Sequence, residues 1–227
     1  MATYHFCFDL NYYGLFRIPQ NFYLDPFWIV QRTCIVSLFL LCAGAGQVIA
    51  VDASQSWARF FRRWSQVAAC AGLVSIGSAL MFPASWISFG VLHGLAVMLL
   101  LGRLTAPRGA SPSSVALLVG LGAVAVVLPA WIQSTAFDSR WTNWVGLVTH
   151  KPQTEDWVPL LPWTGVMLWG MAAGKMLLAR RRAILAGPVP PLLQPLAVLG
   201  RWSLAFYMLH QVVLIGALEA GRRASLW

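Results

Sequence analysis

The chain has 227 residues, of which 59% are hydrophobic and 10% are charged, and its mean hydropathy is +0.68. A soluble domain has about 25% charged residues, so this composition excludes one and indicates a protein that crosses a lipid bilayer several times. The net charge of +9 would suggest nucleic acid in a soluble chain. We expect no nucleic-acid partner here, because the arginines fall in separate loops between apolar segments.

Six apolar segments are long enough to cross a bilayer as helices, which takes roughly 20 residues each. Helices satisfy their own backbone polar groups in lipid, and the uniformly apolar runs lack the alternation of a transmembrane barrel. We therefore predict an all-α, polytopic transmembrane bundle that forms one integral-membrane domain over residues 1–227. The predicted spans are 29–51, 65–83, 86–104, 113–132, 158–179 and 202–220.

The first ten residues, MATYHFCFDL, suit a helix but are too short to span a membrane. We expect them to be the last turns of a helix whose beginning is missing. His5 and Asp9 are four positions apart and therefore share a helix face. The carboxylate could orient the imidazole and raise its basicity, as in acyl-transfer sites, or the pair could simply satisfy the backbone.

Arg32 follows Trp28 at the outer start of the next span. Its guanidinium could reach the membrane interface or pair with Asp9 or Asp25. Facing inward, it could instead hold a substrate carboxylate or stabilise a developing negative charge. Both interpretations stay open at this point.

Basic and acidic residues occupy different loops. Short basic loops stay in the cytoplasm, which predicts that the arginine loops face inward and the acidic loops outward. The arginine loops carry Arg59, Arg62 and Arg63, then Arg103 and Arg108, then Arg180, Arg181, Arg182 and Arg201. The intervening loops carry Asp25, Asp138, Glu155 and Asp156.

Glycines in the spans are spaced so that neighbouring helices can approach closely. This pattern predicts packing and carries no chemistry. The glycines are Gly44, Gly46, Gly72, Gly77, Gly90, Gly94, Gly170 and Gly174.

Two histidines, His93 and His210, fall near the middle of predicted spans. Ionisable groups at that depth are costly, which makes function a serious hypothesis. A histidine hydrogen-bonded to a neighbouring helix is the simpler alternative. If both imidazoles faced one cavity, they could relay protons.

The outer loop between Trp141 and Trp163 crowds polar groups between two spans. His150, Lys151, Glu155 and Asp156 lack a second histidine at ligand spacing, so we predict no metal site. Tryptophans beside polar groups suit sugar-ring stacking, although a membrane-interface belt would also place Trp163 there. The loop is thus a candidate substrate site or a solvated charged segment.

Motifs of common soluble enzymes are missing from the sequence. It has no P-loop, no Rossmann glycine fingerprint, no GxSxG and no HExxH. Its four cysteines lack paired metal spacing. Standard soluble-enzyme chemistry is therefore unsupported.

Five stretches carry a resemblance to a known family: HFCFDLNYYGLF, the DPFWIVQRT run leading to SLFLLCAG, MFPASWISFGVLHGLAV, GLVTHKPQTEDWVPLLPWTGVMLWGMAAGK and LGRWSLAFYMLHQ. Together they resemble the bacterial membrane proteins allied to the heparan-alpha-glucosaminide N-acetyltransferase catalytic domain. The resemblance covers nearly the whole chain, and its motifs are specific to the bacterial branch.

The resemblance implies a multi-pass acyltransferase of the bacterial inner membrane. Acetyl-CoA would bind from the cytoplasm, with its phosphates near Arg62, Arg63 and Arg201. The acetyl group would pass to an amino sugar or glycan on the outer face, and a histidine would act as general base or carry the group transiently. The implied catalytic residues are His5, Asp9 and His150, and the implied substrate-binding residues are Arg32, Lys151, Glu155, Asp156, Trp163, His93 and His210.

Two departures from the family pattern affect the site. Members usually begin with a full first helix preceded by an acidic-arginine-glycine motif, whereas this chain begins inside that helix. The lysosomal enzyme's reactive histidine lies where this sequence has Pro19, Gln20 and Asn21. His5 or His150 would have to replace it, and both stay open.

Other functional classes remain as alternatives. A carrier or channel for a polar solute would use Arg32, His93 and His210 as a path through the membrane and would show flux without acetyl-CoA. In an assembly or scaffold protein, substitution of the histidines would change stability alone. The lipid bilayer is a partner in every case, and association into a homo-oligomer is left open.

Overall fold

The computed structural model describes residues 1–106 and 111–224, so Arg108 and, within its helix, the side chain of Arg181 lie outside the described residues. In this part of the chain there are eight α-helices, a few short 3₁₀ turns and no β-strand, which confirms the all-α prediction. The helices are α1 (Ala2–Tyr12), α2 (Pro26–Asp52), α3 (Trp57–Met81), α4 (Val91–Thr105), α5 (Pro112–Trp131), α6 (Leu160–Ala186), α7 (Gln194–Arg201) and α8 (Ser203–Arg223).

Four of the described helices, α2, α3, α5 and α8, are long and apolar enough to cross a membrane. Helix α4 is apolar but has only 15 residues. Helix α6 has 27 residues, but Lys175, Arg180 and Arg182 lie in its second half. A multi-pass helical membrane protein is therefore supported, and the predicted six spans are an approximate number.

The chain forms two compact units. The first unit comprises Met1–Val36 and Gly187–Trp227, and the second comprises Ser37–Ala186. Helices α1, α7 and α8 belong to the first unit, α3 to α6 to the second, and α2 begins in one and ends in the other. The single domain over residues 1–227 stays a prediction.

Local sequence signals set the helix ends in the first unit. Gly14 has a φ of +71°, a conformation that favours glycine, and the backbone turns there so that the N–H of Leu15 donates to the carbonyl of Leu10 at 2.9 Å. The Asp25 carboxylate accepts the N–H of Phe27 at 2.8 Å and caps α2, which starts with Pro26. These caps close α1 and orient the start of α2.

The helices of the second unit have their termini at two opposite ends. At one end, Arg103 of α4 donates to the carbonyl of Gln55, and Arg182 of α6 forms an ion pair with Asp52 at 2.6 Å. We call this the basic end; it holds residues 52–59, Arg103 and Arg182. At the other end the segments 82–90 and 132–159 meet, and we call this the loop end.

Small residues let α2 and α6 touch backbone to backbone. A Cβ atom added at Gly44 would lie 2.1 Å from the carbonyl oxygen of Met167, and one at Gly170 would lie 2.3 Å from that of Leu41. The predicted close approach of neighbouring helices is confirmed at Gly44, Gly170 and Gly174, whereas Gly90 and Gly94 lie against Asp156 and Val158 of the loop end. It was wrong for Gly46, Gly72 and Gly77, because no atom of the described residues lies within 4 Å of a Cβ added at these positions.

Candidate functional site

A buried carboxylate lies in the first unit, where α1 packs against α8. Asp9 is buried, and both of its carboxylate oxygens accept hydrogen bonds from the side-chain amide of Gln211, at 2.8 and 2.9 Å. Sequence analysis placed Asp9 beside His5. The structure shows Gln211 as the hydrogen-bond partner of Asp9, contributed by a helix about two hundred positions away in sequence.

Two imidazoles meet beside this carboxylate. The ring centroids of His5 and His210 are 5.1 Å apart. Nδ1 of His210 lies 2.8 Å from the carbonyl oxygen of Tyr207 and 3.1 Å from that of Phe206, and a carbonyl oxygen only accepts, so Nδ1 carries the hydrogen. In the neutral ring Nε2 is then an acceptor, and it is buried without a hydrogen-bond partner.

Arg32 and other polar groups of α2 belong to the same unit. The guanidinium of Arg32 interacts with the side chain of Tyr4. Nε1 of Trp28 and Oε1 of Gln31 are buried without a partner, as is Oε1 of Gln211. Buried polar groups without a hydrogen-bond partner are costly in a protein interior. The first unit could therefore form further hydrogen bonds to a polar ligand.

A hydroxyl connects an acid to a histidine at the loop end of the second unit. Thr149 donates through its hydroxyl to Asp138 at 2.6 Å and through its backbone N–H to the other carboxylate oxygen at 2.8 Å. Nδ1 of His150 lies 3.1 Å from the same hydroxyl and 3.6 Å from Asp138. Because the hydroxyl hydrogen goes to Asp138, Nδ1 of His150 is the donor to Thr149, which leaves Nε2 with a lone pair.

An open depression of about 300 Å³ lies beside this histidine. Its lining includes Gln133, His150, Lys151 and Trp157. The side chain of His150 is 72% exposed, so its lone pair is accessible to a molecule from solvent. A polar molecule that offers a ring face to Trp157 would suit this surface.

The other two acids of the loop have structural partners. Glu155 accepts a hydrogen bond from the hydroxyl of Ser85 at 2.5 Å, and Asp156 accepts the N–H of Val91 at 2.7 Å. Asp156 therefore caps the start of α4. Burial raises the pKa of the Asp156 carboxyl, and the hydrogen bond from Val91 opposes that rise.

His93 has hydrogen bonds at both ring nitrogens. Nδ1 accepts the N–H of Gly90 at 3.2 Å, and Nε2 lies 3.1 Å from the hydroxyl of Ser75, whose own hydrogen goes to the carbonyl of Ile87 at 2.6 Å. The imidazole links α3 to the start of α4. This geometry matches the alternative of a histidine that ties neighbouring helices together.

The basic end holds cations around one acid. Asp52 pairs with Arg182 and also interacts with Lys175, which is only 1% exposed. The guanidinium of Arg103 lies 4.9 Å above the ring of Trp57, and its Nη1 is buried without a partner. Gln47, 5% exposed, has an unpartnered buried amide nitrogen.

The remaining predicted site residues lie on helices. Arg62 and Arg63 are exposed on α3, in the second unit, whereas Arg201 is exposed at the end of α7, in the first. Trp163 is half-buried near the start of α6. Within the residues that the structure describes, no group of three His, Cys, Asp or Glu side chains could hold a metal ion.

Sequence reasoning missed several polar residues that the structure places in these clusters. Asp138 and Arg103 were considered from the sequence only as markers of topology, and Gln47 and the Asp9–Gln211 contact were not predicted. A polar residue in an apolar span, such as Gln47, was the available signal. The Asp138–His150 contact had none, because it depends on how the loop folds.

The chain matches one known family over residues 1–212, described as "Heparan-alpha-glucosaminide N-acetyltransferase, catalytic". No curated protein and no solved structure matches it. The match includes all of α1 to α7 and half of α8, and with them both histidine clusters. The chain belongs to the family of the heparan-alpha-glucosaminide N-acetyltransferase catalytic domain.

Proposed function

We propose that this protein is a membrane acyltransferase that moves an acetyl group from acetyl-CoA to an amino sugar or glycan on the opposite side of the bilayer. The family match over residues 1–212 is the observation that carries the proposal. We further propose the bacterial inner membrane as its location and place the basic end of the second unit in the cytoplasm, because short basic loops stay there.

The two ends of the second unit suit the two proposed substrates. The exposed Arg62 and Arg63 near the basic end would attract the phosphates of CoA, which is a polyanion. Arg201 has the same proposed role from the first unit. The depression at the loop end, lined by Lys151 and Trp157, would bind the acceptor.

His150 has the geometry that a general base needs. Its Nε2 lone pair would take a proton from the attacking amine of the acceptor as that nitrogen bonds to the acetyl carbonyl carbon, and the thiolate of CoA would leave with the electrons of the broken C–S bond. Asp138, through Thr149, would stabilise the imidazolium that forms.

His5 is the second candidate for the base. It lies against His210, whose Nε2 acceptor is buried and unpartnered, and Asp9 lies on the same helix. The half-buried imidazole of His5 could carry the acetyl group transiently. Its nitrogen would bond to the acetyl carbonyl carbon as the C–S bond of acetyl-CoA breaks and the CoA thiolate leaves, and the Nε2 of His210 would accept the proton that His5 loses. Arg32 and the remaining predicted substrate residues keep their proposed binding roles.

Transfer of label from radioactive acetyl-CoA to glucosamine and to envelope glycans tests this proposal, with the protein in liposomes. Loss of transfer in His150→Ala and not in His5→Ala identifies His150 as the base, and the reverse identifies His5. Asn143→Ala, which removes another polar side chain at the loop end, is the control for a local change in structure. Absence of transfer by the folded protein would reject the acetyltransferase.

A carrier for a polar solute is the competing function, and one observation favours it. The first unit holds several buried polar atoms without partners, on α2 and on α8. Polar groups within membrane helices commonly mark solute or proton pathways. Flux of a polar solute through liposomes that lack acetyl-CoA would support the carrier.

A further inference from the structure

We propose that Gln47 and Arg103 together bind a phosphate group at the basic end of the second unit, and that acetyl-CoA supplies this phosphate. The inference rests on the acetyl-CoA dependence proposed above and names the contact residues of that substrate. The exposed arginines would attract CoA to this end, and the buried Gln47 and the half-buried Arg103 would hold it.

Both side chains carry hydrogen-bond donors that have no acceptor. The amide nitrogen of Gln47 and Nη1 of Arg103 are buried, and neither has a hydrogen-bond partner. A buried donor without an acceptor costs free energy that a leucine or methionine in its place would not. An anion with several acceptor oxygens would satisfy both donors at once.

The two donors come from neighbouring helices that touch at this level. A Cβ atom added at Gly102 would lie 3.7 Å from Cγ of Gln47, so α2 and α4 are in contact one residue before Arg103. The guanidinium is held in place by the carbonyl of Gln55 and by the ring of Trp57. A cation held in this way would lose little freedom when it binds an anion.

The charge around the two donors favours an anion. Asp52 is the only acidic residue between Val36 and Asp138, and it is already paired with Arg182 at 2.6 Å. Arg103 and the buried Lys175 add positive charge at the same end. Arginine binds phosphate through a planar fork of N–H groups, and such charge-assisted bonds are stronger than neutral ones.

Binding of CoA to the protein in phosphatidylcholine nanodiscs, measured by calorimetry, tests this inference independently of turnover. We expect Gln47→Leu and Arg103→Gln to weaken CoA binding by about tenfold or more each. Acetyl-pantetheine, which lacks the nucleotide phosphates, should bind all variants alike. Arg140→Gln is the matched control, since Arg140 lies 5.0 Å above Trp86 in the same cation–π geometry at the loop end.

Gln47→Leu should also change the melting temperature, in the direction opposite to that of a structural defect. It removes a buried unpartnered amide, so without CoA its melting temperature should exceed that of the wild type, and the gap should close when CoA is added. A general structural defect would lower the melting temperature in both conditions. This contrast keeps the inference testable even if Arg103→Gln does not fold.

Each outcome decides between the inference and the proposed function. Wild-type affinity for CoA in both variants overturns the inference and leaves acetyl transfer standing. If the wild type does not bind CoA, the proposal that the protein uses acetyl-CoA is rejected. Nanodiscs of phosphatidylglycerol, whose headgroup phosphate is not balanced by choline, then show whether an anionic lipid is the ligand, because they would stabilise the wild type more than Gln47→Leu. No response to either phosphate rejects the site altogether.

Discussion

The carboxylate of Asp138 lies 3.6 Å from Nδ1 of His150, and the hydroxyl of Thr149 bridges the two groups. The three residues form one hydrogen-bonded chain on the surface of the loop end. The bridge fixes the hydrogen on Nδ1 and leaves Nε2 with a lone pair. An exposed histidine held in a defined tautomer beside a depression is what the proposed acyl transfer requires.

The hydrogen bonds between Thr149 and Asp138 predict how the stability of the loop end changes at low pH. Hydrogen bonds from the side chain and backbone of Thr149 hold the pKa of the Asp138 carboxyl below its ordinary value of 3.8. A pKa depressed by folding gives stability that is present above the ordinary value and is lost as pH falls through the depressed one. We therefore expect the stability that this carboxylate contributes to be complete above about pH 4 and to be lost in stronger acid.

Thr149→Val removes the hydroxyl donor and should raise the pKa of Asp138 toward 3.8. Carbon-13 NMR of aspartate-labelled protein in micelles measures this pKa directly. Thr142→Val is the control, because the hydroxyl of Thr142 bonds to Ala136 and Ser139 instead. An unchanged pKa in Thr149→Val would show that the bridge does not form.

Asp156 should respond in the opposite direction. Burial raises the pKa of its carboxyl above 3.8, and a raised pKa gives stability that is complete below that value and is lost as pH rises. At neutral pH the charge therefore opposes folding. Asp156→Asn keeps an acceptor for the N–H of Val91 and removes the charge, so its melting temperature at pH 7 should equal or exceed that of the wild type.

A comparison with Asp156→Ala separates the effect of the helix cap on stability from the effect of the negative charge. It loses the cap of α4 and should cost about 1 kcal/mol. Thermal melts in detergent from pH 5 to pH 8 compare the three proteins. If Asp156→Asn were as unstable as Asp156→Ala, the negative charge itself would be needed at this position.

Glycine contacts between α2 and α6 allow a matched comparison. Gly170→Ala would place a Cβ atom 2.3 Å from the carbonyl oxygen of Leu41, so the helices must move apart, at a cost of about 1–3 kcal/mol or more. Gly77→Ala meets open space and should gain up to about 1 kcal/mol from helix propensity. Chemical unfolding in mixed micelles measures both. Equal effects would contradict the close approach of the two helices.

The contact between Asp9 and Gln211 should behave as a coupled pair. Gln211→Leu removes both donors to the buried carboxylate and should cost about 1.5–3 kcal/mol or more. The double variant Asp9→Leu, Gln211→Leu should recover part of that loss, because no unpaired charge remains. A double-mutant cycle of unfolding free energies gives the coupling. Additive effects would show that the two side chains act independently.

Composition and periodicity predicted what depends on local sequence. The apolar runs predicted the long helices, and the segment around His5 predicted the short helix α1. The spacing of Gly44, Gly170 and Gly174 predicted close helix packing, which the structure shows between α2 and α6. These features follow from helix geometry and from the cost of burying backbone polar groups. The length of α4 was less predictable, since residues 86–90 are mostly apolar but form the loop before α4, and Asp156 caps the helix at Val91.

The candidate sites depended on contacts between distant segments. His5 and His210 meet because α1 packs against α8, and Gln47 contacts Gly102, the residue before Arg103, because α2 packs against α4. No spacing in a single sequence encodes such pairs. Glu155 and Asp156 were predicted as substrate ligands from their charge, whereas the structure binds them to Ser85 and Val91. Their roles toward substrate stay proposals.

The most direct test of acyl transfer across the membrane uses liposomes that hold the acceptor glycan inside, with protein molecules in both orientations. Radiolabelled acetyl-CoA is added outside only. We predict label on the enclosed glycan, made by the molecules whose basic end faces outward, and its loss in His150→Ala or His5→Ala. Folded protein that leaves the enclosed glycan unlabelled, while acetyl-CoA outside remains intact, would contradict the acyltransferase account.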